Sequence, residues 1–71
     1  MEKGWSLVYR AGDEYQANIL KGMLEENGID SVIINQKDSS YLVGNPLLYV
    51  HSDSYDKARQ LILDTEENSQ T

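Results

Sequence analysis

His51 is the only histidine of the chain and the side chain best suited to exchange a proton near neutral pH. A general base needs a nucleophile or acid fixed within reach. There is no cysteine, and no motif holds a serine or aspartate beside it. His51 closes a predicted strand, where a histidine is more often a surface or packing residue. Asp38, Asp53 and Asp56 carry oxygens that a hard cation would accept. Helix capping accounts for Asp53 and Asp56 without a metal. Gly44, Asn45 and Pro46 form a turn, not a phosphate cradle, because neither a G-x-G-x-x-G run nor a Walker-type lysine is present. The sequence therefore predicts no catalytic residue, no metal site and no cofactor.

Three aromatics remain. Trp5, Tyr9 and Tyr49 lie on predicted strands and could stack bases as RNA-recognition sheets do. That use also needs basic residues, because phosphate neutralisation carries much of the affinity. The chain has twelve acidic and six basic side chains, a net charge of −6. Nucleic acid and anionic membrane surfaces are excluded as expected partners.

Seventy-one residues allow one domain. A domain this small buries only roughly 60% of its unfolded surface, so its margin of stability is thin. The absence of cysteine removes disulfides and thiolate chemistry and points to a reducing cytoplasm. The amino-terminal MEKGWS has no apolar signal core, and no apolar run approaches the roughly 20 residues of a membrane span.

The elements that must position these side chains are written plainly. Residues 5–10, WSLVYR, read as a strand that places Trp5, Leu7 and Tyr9 on one face and Val8 on the other. Ala11 and Gly12 break it. Asp13 stands at an N-cap, with Gln16 placed to complete a capping-box-like arrangement. Ala17, Leu20, Met23 and Leu24 follow at helical spacing, and Ile19 beside them widens the stripe. Gly28 is the helix stop, and Ile29 is expected to fold back onto Leu24 in a Schellman ending. Glu25 and Glu26 oppose the helix dipole in the last turn.

Residues 31–35, SVIIN, form the second strand, and residues 47–51, LLYVH, the third, with Pro46 tolerable at the strand start. The loop between them, residues 36–46, spans about eleven residues, near the upper end for a small domain. Asp53 or Ser54 caps a second helix over residues 55–64, whose stripe is Tyr55, Ala58, Leu61 and Ile62. Asp53 and Lys57 have the spacing of an ion pair. Residues 65–71 lack apolar side chains and read as a disordered polar tail, which leaves residues 1–64 as the domain.

The order is β-α-β-β-α. The crossover makes the first two strands parallel, and the long loop lets the third insert between them. The predicted fold is α+β, a ferredoxin-like plait without its last strand. It has a three-stranded antiparallel sheet in order 1-3-2 with both helices on one face.

LVYRAGDEYQANILKGMLEENGIDSVI, followed by LLYVHSDSYDKARQLI, resembles the small bacterial domains known as putative prokaryotic signal-transducing proteins, a family of unknown function. The matching positions are Ala17, Lys21, Leu24, Glu25, Gly28 and Ile29, then Ala58 and Leu61. They span about residues 7–63 and are structural in kind. The resemblance implies a GlnB-like (PII-like) fold and a signal-transducing role. It supplies no catalytic residues. Many members append a cysteine-rich zinc segment, which this chain lacks.

Both faces of the predicted sheet carry apolar side chains, since Leu48 and Val50 oppose Leu47 and Tyr49, yet the helices cover only one. The expected function is a non-enzymatic binding or protein-interaction module that uses the open sheet face and the apolar loop residues Tyr41, Leu42 and Val43. A homodimer is its simplest form. Arg10, Lys37, Tyr41, Leu42, Val43, Tyr49 and His51 are the expected contacts. The alternative is a PII-like sensor of a small metabolite, bound near Arg10, Lys37 and Tyr41. An enzyme is the third reading.

Overall fold

A computed structural model describes residues 4–35 and 45–69. The elements run β1 (Trp5–Arg10), α1 (Glu14–Glu26), β2 (Ser31–Asn35), β3 (Pro46–His51), a 3-10 turn (Ser52–Ser54) and α2 (Tyr55–Ser69). The sheet order is β1-β3-β2, with β3 antiparallel to both neighbours. This is the predicted α+β, ferredoxin-like arrangement. The 36–46 loop and its residues Lys37, Asp38, Tyr41, Leu42 and Val43 fall outside the described residues, apart from Asn45 and Pro46 at its end.

Local chemistry explains α1 at both ends. The Asp13 carboxylate accepts the Gln16 amide N–H at 2.8 Å, which satisfies one of the orphan donors of the first turn. The Gln16 side chain reaches back one residue further than in a standard capping box and accepts from the Gly12 N–H at 2.6 Å. At the other end Gly28 takes φ +80, a left-handed conformation that a Cβ would penalise. Its N–H donates to the Glu25 carbonyl at 3.0 Å, and the Ile29 N–H donates to the Leu24 carbonyl at 2.9 Å. Those two bonds are the Schellman pattern. Ile29 and Leu24 are both buried in the same cluster. Lys21 pairs with Glu25, so one of the two carboxylates opposing the dipole finds a cation.

The core lies between the sheet and both helices. Val8, Leu48 and Val50 from the sheet meet Leu20 and Leu24 of α1 and Ala58 and Ile62 of α2. Met23, Tyr55 and Leu61 pack at its margin. Ile19 departs from expectation and is 47% exposed. It sits 100° around the helix from Leu20, outside the arc that faces the sheet. Asp53 and Lys57 form no ion pair among the described residues; the only salt bridge among them joins Lys21 and Glu25.

Two further expectations are corrected. The second helix does not stop at Asp64, and residues 65–69 are not a disordered tail, because α2 continues to Ser69. The Tyr9 hydroxyl donates to the Glu66 carboxylate, a tertiary contact that a polar sequence does not reveal. Tyr9 itself leaves the Trp5 and Leu7 face. Leu7 pairs with Tyr49 and Tyr9 with Leu48, so Val8 is an extra residue in β1. Such a bulge turns both bulged side chains toward the same face. Arg59 of α2 donates to the Val8 carbonyl at 2.9 Å and fixes the distortion.

Candidate interaction surface

Register decides which side chains share the face turned away from the helices. Residues opposite one another in an antiparallel pair point the same way, and neighbours along a strand alternate. Leu48 and Val50 face the helices, so Leu47, Tyr49 and His51 face away. Their partners in β1 are Arg10, Leu7 and Trp5, and in β2 Ile34 and Val32 pair with Leu47 and Tyr49. The structure thus gathers three predicted contact residues, Arg10, Tyr49 and His51, on one face. It leaves Tyr9 on the other.

Burial on this face is greatest where β3 begins. Leu47 is buried between Arg10 and Ile34, while Trp5, Val32, Ile34 and Tyr49 are half-buried. Leu7 is 40% exposed. Arg10 and His51 are exposed at opposite ends of β3, across the strand pair. Trp5 and His51 stack with ring centroids 4.0 Å apart and planes at 30°. Below them the Ser6 and Ser52 hydroxyls lie 2.6 Å apart, and the Ser52 N–H donates to the Gly4 carbonyl at 2.7 Å. The His51 ring is therefore a packing partner of Trp5.

The opposite end of β1 is also tied down. The Ala11 N–H donates to the Pro46 carbonyl at 2.9 Å, and the Asn45 side-chain amide donates to the Ala11 carbonyl at the same distance. These bonds hold Arg10 at the rim where β3 begins. Among the described residues no group of three or more His, Cys, Asp or Glu side chains is placed to hold a metal ion. Nor is any helix among them long and apolar enough to cross a membrane.

On the helix side, one titration is displaced. The Tyr9 phenol is held above its ordinary value of 10.0, chiefly because Glu66 accepts its hydrogen bond. Burial and the negative charge of Glu66 push it the same way. Sequence reasoning missed Glu66 entirely, since its apolar-poor surroundings read as tail. The bulge left no turn residue in β1 to betray it.

Fold and surface together define a small α+β domain with a ferredoxin-like core and a sheet face turned away from both helices. The chain belongs to the family described as putative prokaryotic signal transducing protein, whose pattern matches residues 5–66. That match runs past Asp64 to Glu66, the residue that anchors Tyr9. No curated protein and no solved structure matches the chain.

Proposed function

We propose that this domain is a non-enzymatic binding module of a bacterial signalling system, working in the cytoplasm through its open sheet face and the 36–46 loop. One observation carries the reading. Leu7 is 40% exposed within a face that also holds Trp5, Val32, Ile34 and Tyr49, on a chain of net charge −6. Contiguous apolar surface on a small acidic domain marks an interaction site. A second copy is the simplest partner, because a two-fold contact covers both open faces at once. A stable contact needs about 800 Å² from each partner, so residues beside the sheet face would have to join it.

Light scattering across a concentration series tests the dimer. A mass that rises to twice the monomer by high micromolar concentration supports it, and Leu7→Asp should return the mass to that of the monomer. A strict monomer throughout rejects the dimer and leaves a different protein as the partner.

A second reading is a small-metabolite sensor of PII-like type, as the fold suggests. It is favoured by Arg10, which is exposed on the open face with no ion-pair partner among the described residues. Lys37 and Tyr41 would complete its contacts. With so few cations a nucleoside triphosphate is a poor fit. A metabolite panel read by amide shifts separates the readings, since a sensor must show perturbation at Arg10 and in the 36–46 loop. Catalysis is the least supported reading, because His51 is stacked on Trp5 and no sequence motif pairs it with a nucleophile.

A further inference from the structure

Asn27 and Gly28 form the one Asn-Gly step of the chain, and it lies where α1 hands over to β2. An asparagine before a glycine carries its own reagents. Once base removes its proton, the Gly28 nitrogen can bond to the side-chain carbonyl carbon of Asn27. The bond to the side-chain nitrogen breaks, and that nitrogen takes a proton from water and leaves as ammonia. The product is a five-membered succinimide ring, which water opens at either carbonyl to give aspartate or isoaspartate. Glycine favours the attack because no Cβ crowds the nucleophilic nitrogen. Both residues are exposed, so base and water reach them.

The helix ending blocks each part of that reaction. The Gly28 N–H donates to the Glu25 carbonyl at 3.0 Å, which ties up the nucleophile. The Asn27 side-chain amide donates to the Met23 carbonyl at 2.8 Å, which pins the leaving group back along the helix. At ψ 14 the Gly28 nitrogen nearly eclipses Asn27's own nitrogen and so points away from the side chain. Ring closure requires rotation about that bond. The rotation also pulls Ile29 from the Leu24 carbonyl, which its N–H reaches at 2.9 Å. The reaction must therefore wait for the Schellman turn to open. Its products do not restore the turn. An aspartate has no N–H to give Met23, and it adds a third carboxylate to Glu25 and Glu26 against the helix dipole. An isoaspartate lengthens the main chain by one carbon just before Gly28.

We propose that Asn27 is a self-modification site that the Schellman ending holds shut, and that its deamidation unlatches the junction of α1 and β2. The full chain should be aged at mildly alkaline pH, both folded and in urea. Asn27 is then followed by its gain of one mass unit and by peptide mapping of isoaspartate. Two hydrogen bonds must break before the ring closes, so the folded chain should react at least about tenfold more slowly than the unfolded one. Leu24→Ala weakens the packing behind the turn and should react at Asn27 faster than the folded wild type. Asn27→Asp makes one product directly, and its Gly28 and Ile29 amides should exchange hydrogen several-fold faster than those of the wild type. Complete resistance of the folded wild type, with reaction in Leu24→Ala, would also support the proposal. Four results would each overturn it. They are folded and unfolded rates within about tenfold of each other, first reaction of the unfolded chain at Asn68, no acceleration in Leu24→Ala, and unchanged exchange in Asn27→Asp. None of these outcomes bears on the sheet-face reading, which uses other residues.

Discussion

At Gly28 a single missing Cβ allows the chain to leave α1 and enter β2. Its φ of +80 is accessible to other residues only with strain, although no atom lies within 4 Å of where a Cβ would stand. Gly28→Ala should therefore cost about 1 kcal/mol from backbone strain alone, with no packing penalty. A denaturant titration measures it, and an unchanged midpoint would show that the Schellman turn can relax. Tyr9 makes a prediction about pH. Its folded pKa lies above the ordinary 10.0, so its contribution to stability is complete below about pH 10. The contribution is lost as pH rises through the folded value, because the unfolded chain gives up the proton first. Stability of the wild type should fall above about pH 10, and the advantage over Tyr9→Phe should shrink there. A gap between the two that stays constant to pH 11 would contradict the contact with Glu66.

At the scale of elements, β1 and α2 are coupled. The bulge at Val8 sends Tyr9 toward α2, where Glu66 takes its hydroxyl and Arg59 takes the Val8 carbonyl. This contact ties the last turns of α2 to the sheet, where the sequence after Asp64 offers no apolar stripe. Truncation after Asp64 should thus lower stability by about 1 kcal/mol, the scale of one lost hydrogen bond, and return the Tyr9 titration to its ordinary range. A disordered tail would be removed without either effect. Calorimetry and an ultraviolet titration of the tyrosines decide between them. The α1 boundaries, Asp13, Gly28 and Ile29, could be read directly because capping and turn chemistry act within five residues. The β1 bulge could not, because it is stabilised by residues some fifty positions away.

For the whole molecule the question is how much one core residue matters. A chain of this length has a total stability of roughly 4–10 kcal/mol at about 0.05–0.15 kcal/mol per residue. Leu24 is completely buried where α1 meets β2 and β3, and Leu24→Ala should cost about 2–5 kcal/mol. That is about half of the total. The variant should melt far below the wild type or be partly unfolded at 37 °C, and a melting temperature lowered by only a few degrees would count against this account of the core. Leu7, 40% exposed on the face turned away from the helices, should tolerate the same change with a loss under about 1 kcal/mol. The contrast between the two leucines measures how one-sided the domain is.

Element order, the capped start of α1, the glycine stop and the strand order followed from sequence, because propensity, periodicity and capping are local and the crossover rule leaves few topologies. The second helix begins at Tyr55 as expected, but out of a 3-10 turn over Ser52–Ser54 and not from an Asp53 or Ser54 cap. The sequence also determined the absence of recognisable catalytic motifs and the acidic charge that disfavours nucleic acid. Tertiary structure alone decided which sheet face meets the helices. It placed Arg10, Tyr49 and His51 together, turned Tyr9 inward and carried α2 to Ser69. The reason is geometric. One extra residue in a strand inverts every later side chain, and the contacts that hold that residue come from the far end of the chain.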